Sequence, residues 1–440
     1  MRVNFSHIFS WHFILVMQLL FNLVVILSHF SANFSITRQL IGFVYLTLVL
    51  GKTLDYNSTF TSWDRHQGAI NHVFDTHAYA WTWAYGEGDV IHEKKGIYLW
   101  ALNNSKKALK GIVKRLQNLK DNIKVIYGDA AKVGFDDELD LIITDPPYYA
   151  NIQYGELSDY FYVWYRKILK DIYPEAYSTP ETPKSEEAVA NPVRHGSPKL
   201  AAQFYEEKLR EIFINHYKLL RDDGVLVLWF AHKTGAAWSK TIQALLDSGF
   251  NITALWGVGT EYKHSLHISG KAALRTSIIM VCRKRIESRG GYIQDAIRDL
   301  NGELERRLEE LEEYGFLGPD FIMAAQAEAL KIASRYWPIK DPEGKMTPGE
   351  ILDFILDLAV GQAINYLTRK VAPQIIGVDA PTKFYVLAKY LYGDIIAYDE
   401  ARRIALACLG ASGIADPVEE IAVKTGLGTL STTQVEGERT

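Results

Sequence analysis

Apolar runs alternate with amphipathic stretches through the middle of the chain, from about residue 123 to residue 285. Helical spacing of apolar residues predicts helices at 204–220 and 238–246. Continuous apolar runs are typical of strands buried on both faces of a parallel sheet, so the pattern predicts an α/β fold with a mainly parallel sheet. The predicted strands are 124–128 (KVIYG), 139–145 (LDLIITD), 224–230 (GVLVLWF, entered through a turn at 221–224), 250–256 and 276–282 (TSIIMVC).

The pattern becomes helical after about residue 286. Apolar residues from Ile293 to Leu311 follow each other at intervals of 4, 3, 4, 4 and 3, which predicts an amphipathic helix. Thr347-Pro348-Gly349-Glu350 predicts another helix start, because Thr can cap a helix and Glu can complete a capping box. We therefore divide the chain into a hydrophobic leader (1–38), an α/β domain (39–285) and a helical C-terminal domain (286–440).

The leader contains an apolar run of 18 residues at 13–30 (FILVMQLLFNLVVILSHF), which four polar residues interrupt. As a helix it would be about 27 Å long, which is marginal for crossing a membrane. Three interpretations stay open: a membrane anchor, a buried helix, or an extension outside the working protein. We expect a cytoplasmic protein in which residues 1–37 are dispensable for the soluble fold, with a core helix at 40–50.

The overall charge excludes a strongly basic nucleic-acid coat, since 48 basic and 52 acidic residues leave a net charge of −4. A local basic face is compatible with that sum. The two cysteines, Cys282 and Cys408, cannot form a disulfide framework or a Cys/His zinc site, so we predict no metal site. Aromatic residues make up 12% of the chain, which fits core packing more readily than a set of base-stacking platforms.

The strongest chemical signal is the tetrapeptide Asp145-Pro146-Pro147-Tyr148, directly after an apolar strand. Ligands of open α/β sheets bind at the carboxyl ends of the strands. Two consecutive prolines make the backbone rigid and extended, so the Asp145 carboxylate and the Pro146 carbonyl become two acceptors in a fixed relation. An exocyclic amino group has two N–H donors that match this pair, and holding both frees the nitrogen lone pair to attack an electrophilic methyl group. Tyr148 would offer a ring for a flipped base; the alternative is a proline-rich turn with Tyr148 as packing.

These residues resemble the amino-methyltransferases of nucleic acids, whose D/N-P-P-Y/F motif marks attack by adenine N6 or cytosine N4. The resemblance extends from about residue 40 to near the C-terminus and points to one archaeal and bacterial family, described as adenine-specific DNA methylases, some with a zinc ribbon. It implies a Rossmann-like methyltransferase domain over 39–285, S-adenosylmethionine as methyl donor, and a DNA base as substrate, with adenine N6 as the expected acceptor. The segments that carry it are 48–63 (LVLGKTLDYNSTFTSW), 145–167 (DPPYYANIQYGELSDYFYVWYRK) and 230–238 (FAHKTGAAW).

The resemblance also places residues outside the tetrapeptide. Asp129 follows the predicted strand 124–128, where methyltransferases carry a carboxylate that contacts the donor's adenine ring; a simple turn aspartate is an equal alternative. Residues close to the motif would line the base pocket, and His232 follows the strand 224–230, where it could contact substrate or donor. The candidate substrate-binding residues are Tyr149, Asn151, Tyr154 and His232.

The glycine-rich turn that such donor sites use after their first strand is missing from this sequence. The readable strands correspond to the later strands of the fold, and a sheet without its first strand exposes an edge. We therefore expect two partners, DNA and a separate polypeptide that carries the glycine-rich donor-binding half, and no membrane. The alternative is a non-catalytic DNA-binding or scaffold subunit, or a degenerate fragment, of a split methyltransferase.

Overall fold

The protein is a mixed α/β protein in two compact units. Unit 1 comprises Met1–Tyr127 and Ile152–Glu187, and unit 2 comprises Gly128–Asn151 and Ala188–Thr440. These units follow the packing of the chain, and the boundaries at 38/39 and 285/286 drawn from composition stay predictions. A computed structural model describes residues 36–65, 68–75, 77–79, 81, 83, 85–86, 98–116, 124–150, 152–230, 235–259, 276–285, 290–314, 316, 319–371, 379–392, 395–409, 418 and 434–436.

Unit 1 is built from helices and one short hairpin. The described helices are α1 (Ile36–Leu54), α2 (Tyr98–Leu116) and α3 (Tyr154–Leu169), and the antiparallel strands are β1 (Trp63–Asp64) and β2 (Ala69–Ile70). The helix predicted at 40–50 lies within α1, so that prediction is confirmed. The helix is only partly a core helix, because its apolar residues divide between a buried set, Val49 and Leu54, and an exposed set, Leu40, Ile41 and Leu48.

The core of unit 1 is small and aromatic. Leu54, Phe60, Val73 and Tyr160 are buried together, and the Tyr160 hydroxyl donates a hydrogen bond to the Leu54 carbonyl over 3.0 Å. The helical spacing of Tyr160, Phe161 and Trp164 favours core packing over a base cradle. That interpretation is confirmed, since the latter two pack half-buried against this cluster.

Unit 2 contains the predicted sheet. Its described strands are β3 (Leu139–Thr144), β4 (Leu220–Phe230), β5 (Phe250–Gly259) and β6 (Thr276–Lys284), in the spatial order β3-β4-β6-β5. β3 and β4 are parallel, whereas β6 is antiparallel to both of its neighbours. Three strands therefore share one direction, and the last strand runs against them from a position inside the sheet.

The expectation of a mainly parallel sheet was thus too strong, because one described strand pair of this sheet is parallel and two are antiparallel. The apolar run of β6 reflects burial on both faces, and such a run carries no information about strand direction. The turn predicted at 221–224 is a register shift instead: Leu139 pairs with Leu220 and Leu141 with Val225. β4 accommodates the extra residues as an irregularity within a strand of 11 residues.

The strand predicted at 124–128 is wrong. Residues 124–127 are described and form no strand, and Val125 is 92% exposed. A short apolar run becomes a strand only when a neighbouring strand takes up its backbone hydrogen bonds and a second layer covers its side chains. Among the described strands β3 pairs with β4 alone, so the sheet ends at β3 on this side.

Helices surround this sheet and continue beyond it. The helix predicted from Ile293 to Leu311 is confirmed; its buried face is the expected one, except that Ala296 is fully buried and Ile297 only half-buried. The capping box is also confirmed: the Thr347 amide donates to the Glu350 carboxylate over 2.7 Å, and the Glu350 amide to the Thr347 hydroxyl over 3.3 Å. The described helices of unit 2 are α4 (Pro192–His195), α5 (Pro198–Leu219), α6 (Gly235–Asp247), α7 (Ile293–Glu313), α8 (Pro319–Ser334), α9 (Pro348–Val371), α10 (Ala380–Tyr392) and α11 (Tyr398–Leu409).

Four short strands complete unit 2, in two parallel pairs: β7 (Gly291–Tyr292) with β8 (Ile339–Lys340), and β9 (Ile395–Ala397) with β10 (Gln434–Glu436). A single hydrophobic core joins the sheet to the helices that follow residue 286. Members of that core include Ile142, Leu226, Leu228, Met280, Leu300, Leu304, Leu330, Ile355 and Leu387.

One described helix, Pro348–Lys370, is long and apolar enough to cross a membrane, with a mean hydropathy of 1.3. Within the unit, 61% of its apolar window is buried. Core helices of soluble proteins pass the same test, and the burial of Ile351, Ile355 and Leu356 fits that case. The hydrophobic run at 13–30 lies outside the described residues, so its three interpretations stay open.

Candidate active site

The tetrapeptide Asp145–Tyr148 leaves the carboxyl end of β3, as the sequence predicts. The four residues are extended and belong to no helix or strand. Asp145 is exposed, Pro146 is buried, and the next two residues are half-buried. Because each proline fixes its own φ and lacks an N–H group, the backbone here has few alternative conformations. The carboxylate is therefore presented to solvent from a rigid segment at the end of the sheet where ligands of α/β proteins bind.

Two contacts anchor the backbone of this segment. The hydroxyl of Tyr205, a fully buried residue of α5, donates a hydrogen bond to the Pro147 carbonyl over 2.8 Å. The amide of Ala190 donates to the Tyr149 carbonyl over 3.0 Å. The rings of Tyr149 and Tyr205 also meet edge to face, with their centroids 5.3 Å apart. Helix α5 and Ala190, which precedes α4, therefore fix the position of the motif.

Tyr149 turns the chain sharply away from the motif. Its φ is +57°, in the left-handed region that residues other than glycine rarely adopt, at a cost of the order of 1 kcal/mol. Its amide donates to the Pro147 carbonyl over 3.2 Å, which closes a tight turn. Such a conformation persists only where surrounding contacts hold it, and the ring contact and hydrogen bond described above do so.

The carboxylate of the motif is bound by the tyrosine of the same motif. The Tyr148 hydroxyl donates a hydrogen bond to Oδ1 of Asp145 over 2.6 Å. A short O–H···O⁻ bond of this kind is among the stronger hydrogen bonds in proteins. It fixes the Tyr148 ring beside the acceptor that the sequence assigns to the amino group. A base stacked on that ring would therefore lie close to Oδ1, whereas stacking itself stays a prediction.

The carboxylate of Asp129 is engaged by protein groups of its own turn and of α5. Its carboxylate accepts a hydrogen bond from the Ala131 amide over 2.9 Å and forms ion pairs with Lys208, at 2.7 Å, and Lys132, at 3.4 Å. Asn215 of α5 donates to the Ala130 carbonyl of the same turn over 3.0 Å. These are the contacts of a turn aspartate, which is the alternative that the sequence left open.

The described contacts of Asp129 are all with protein groups, and they do not show a place for the donor's adenine ring. Both Asp129 oxygens already accept from protein groups, and Lys208, whose side chain is only 9% exposed, covers one of them. The glycine-rich turn is absent from the sequence as well. A donor-binding role for Asp129 stays a prediction that this geometry does not support.

The remaining predicted substrate-binding residues belong to unit 1 or lie outside the described residues. Tyr154 is described as the first residue of α3, is 43% exposed, and belongs to unit 1. Asn151 and His232 lie outside the described residues, as does Lys233 beside the latter. Cys282 is a fully buried residue of β6, where burial raises the pKa of its thiol.

Two residues of the site were not found from the sequence. Tyr205 lies in a predicted helix, where its spacing indicates only a core position, and Lys208 follows it by one turn. Their partners, Pro147 and Asp129, are 58 and 79 residues distant along the chain. Spacing within one helix carries no signal for such contacts, because they depend on how α5 packs in the unit.

Comparison with known proteins does not help to assign the site, because no family model, no curated protein and no solved structure matches this chain. Within the part of the chain that the structure describes, no group of three or more His, Cys, Asp or Glu side chains could hold a metal ion. The interpretation of the site therefore rests on its own geometry.

Proposed function

We propose that unit 2 holds the amino group of a nucleic-acid base in an S-adenosylmethionine-dependent N-methyltransferase, with adenine N6 of DNA as the acceptor. The observation that carries the proposal is the exposed Asp145 carboxylate on a rigid Pro-Pro segment at the carboxyl end of β3. A structural turn has no need of an anchored proline pair that directs a carboxylate toward solvent.

The chemistry follows from the acceptors of the motif. An amino group on adenine or cytosine has two N–H donors, and the Asp145 carboxylate and the Pro146 carbonyl supply two acceptors from adjacent residues. When both donors are held, the nitrogen lone pair is drawn out of conjugation with the ring and becomes nucleophilic. The Tyr148 hydroxyl on Oδ1 fixes the carboxylate and sets the ring on which the base would stack.

The order of the strands supports the same proposal. In this sheet the last strand of the chain, β6, lies antiparallel between β4 and β5. The sheets of Rossmann-like methyltransferases end in the same way, with their last strand inserted antiparallel between the two that precede it. The motif also follows the strand of this sheet from which such enzymes present their base-binding tetrapeptide.

A second polypeptide would supply the donor half. The described sheet ends at β3, whose apolar residues Leu141 and Ile143 are 51% and 63% exposed. Parallel strands are normally covered on both faces, so this edge is where the earlier strands of a complete methyltransferase sheet would pair. S-adenosylmethionine bound to that donor half would supply the methyl group.

The test is methyl transfer from radiolabelled S-adenosylmethionine to unmethylated DNA, by the chain isolated from its native cells with its co-purifying polypeptides. Asp145→Ala should lower transfer about 100-fold or more, the effect of losing one preorganised polar contact to a reacting group. Asp140→Ala is the matched control: it removes an exposed carboxylate from β3, the strand that precedes the motif, and should leave transfer unchanged. Digestion of the product would show whether N6-methyladenine or N4-methylcytosine forms.

The second candidate function is a non-catalytic subunit that keeps the fold. The engagement of Asp129 by Lys208 favours it, because the one carboxylate assigned to the donor is held by a lysine and the sequence contains no glycine-rich turn. DNA retention without methyl transfer, unchanged by Asp145→Ala, would establish this candidate and exclude the first. Equal transfer by Asp145→Ala and by the unaltered chain would exclude the motif as the site.

A further inference from the structure

Unit 1 contains a cavity that the proposed function does not use. Its volume is about 520 Å³, and it lies between the C-terminal end of α1, helix α3 and Tyr177 in the segment after α3. Pockets for small ligands in proteins span roughly 300–1,000 Å³, so a mononucleotide would fit. The cavity is lined by Gly51, Lys52, Asp55, Ser158, Phe161, Tyr162, Tyr165 and Tyr177.

Four of the eight residues that line the cavity are aromatic. Tyr162 and Tyr177 lie 5.3 Å apart at an interplanar angle of 37°, and Phe161 and Tyr165 lie 6.5 Å apart at 32°. Burial raises the pKa of Tyr165 to about 12, so its hydroxyl stays neutral at physiological pH. Two pairs of inclined rings around an open cavity provide faces on which a planar ligand can stack.

Gly51 allows one of these walls to form. A Cβ atom at this position of α1 would overlap the Tyr165 hydroxyl, so only glycine lets that ring approach the helix backbone. The approach brings the ring of α3 next to two charged residues of α1 and its C-terminal turn, Lys52 and Asp55. Aromatic walls and charged groups are therefore held around one space.

The two charged residues define opposite requirements for a ligand. Burial raises the pKa of the Asp55 carboxyl, although the nearby His72 side chain and the Lys52 ammonium counteract it, which marks the carboxylate as partly desolvated. The Lys52 ammonium lies 4.7 Å from the centre of the Trp100 ring, in a cation–π contact. Lys52 would repel an aromatic cation, and Asp55 would repel a simple anion. A planar ring with N–H donors and an attached anion satisfies both.

We propose that this cavity binds a nucleotide whose base carries its amino group at C6 of a purine or C4 of a pyrimidine, as adenine and cytosine do. The base stacks among the tyrosines, Asp55 accepts its amino N–H, and Lys52 pairs with its phosphate. The nucleotide can be free or part of a nucleic-acid strand, since both offer the same chemistry. The proposal is independent of the function proposed for unit 2, because none of its residues belongs to the Asp145–Tyr148 motif.

The test is calorimetric titration of the full chain with AMP, CMP, UMP and adenosine. AMP and CMP should bind about tenfold more tightly than UMP, whose O4 faces the carboxylate with a lone pair in place of an N–H. Asp55→Asn should reduce that preference to within about threefold. Lys52→Gln should weaken AMP about tenfold and leave adenosine unchanged, the effect of one lost charge-assisted contact.

Lys170→Gln, an exposed cation on the segment after α3, is the matched control and should bind like the unaltered chain. Competition of AMP by short oligo-dA but not oligo-dT would identify a strand as the source, and binding of AMP alone would identify the free nucleotide. Equal affinity for AMP and UMP would overturn the proposal. So would AMP binding that survives Asp55→Asn and Lys52→Gln unchanged but is lost in Asp145→Ala, since the ligand would then occupy unit 2.

Discussion

The hydroxyl of Tyr205 donates a hydrogen bond to the carbonyl oxygen of Pro147 over 2.8 Å, and this contact joins helix α5 to the Asp145–Tyr148 motif. Pro147 has no N–H group, so its carbonyl is the one backbone hydrogen-bonding group through which the residue can be anchored. Burial raises the pKa of Tyr205, which keeps its hydroxyl protonated and able to donate. A buried side chain from another element thus supports a segment that presents its own charge to solvent.

We predict that Tyr205→Phe loosens the motif without unfolding the protein. The change removes one buried hydrogen bond while keeping the ring, which should lower the free energy of unfolding by about 1 kcal/mol. The rate of methyl transfer should be affected more strongly than the free energy of unfolding, because the Pro147 carbonyl anchors the segment that carries Asp145. Denaturant unfolding and transfer rates measure the two effects. Tyr217→Phe on the same helix is the control, since the Tyr217 ring packs on Phe250 and is retained.

We predict that Tyr148→Ala harms base positioning more than folding. The residue lies beyond the end of β3 and is half-buried, and stacking on one ring contributes about 1–3 kcal/mol per base. Tyr148→Phe should keep most of the DNA affinity and lose only the hydrogen bond to Asp145. Melting temperature alongside transfer rate separates the roles. A large fall in melting temperature with unchanged specific activity would mean that Tyr148 serves packing and does not position the base.

The sequence predicted the features that depend on local pattern. β3 and the motif at its end were predicted, as were α5, α6, α7 and the capped start of α9. Each of these has a periodic apolar face, a turn signal or a cap within a few residues. Local signals of this kind survive because the buried face of each element is set by its own sequence.

The sequence failed where the outcome depends on a distant partner. The direction of β6 is set by its place between β4 and β5, and the run at 124–127 forms no strand because no described neighbour pairs with it. No pattern in the sequence predicts that Tyr205 anchors Pro147 or that Lys208 pairs with Asp129. A carboxylate after an apolar run looks the same in sequence whether it meets a ligand or a lysine.

We predict that Lys208→Met destabilises the protein by about 2 kcal/mol, because it leaves the partly buried Asp129 carboxylate without its closest cation. Lys132 and the Ala131 amide still stabilise the charge, so the loss should be smaller than for a fully isolated ion. Lys132→Met is the matched control: its side chain is 67% exposed, and its loss should cost less than about 0.5 kcal/mol. Denaturant midpoints at pH 7 measure both. If Lys208→Met changed S-adenosylmethionine affinity but not stability, Asp129 would belong to the donor site after all.

We predict that the protein loses stability as the pH falls from about 6.5 to about 4 through His216. Burial lowers the pKa of this histidine from 6.5 to about 4, and its Nδ1 atom is buried with no hydrogen-bond partner among the described residues. Between these pH values the unfolded chain binds a proton that the folded chain does not. Folding stability therefore falls as the pH is lowered through this interval, by about 3 kcal/mol in total, and levels off below pH 4 as far as this group is concerned.

His216→Gln tests the assignment, because glutamine keeps a polar side chain of similar length but does not titrate. Denaturant unfolding at half-unit steps from pH 7.5 to pH 4 should give a shallower loss of stability for the variant than for the unaltered chain. The two curves of unfolding free energy against pH should approach each other toward low pH. Only the unaltered chain loses stability through proton binding at residue 216 in its unfolded state. Parallel curves over the whole interval would mean that His216 is protonated equally in the folded and unfolded states, and that its burial does not hold it neutral.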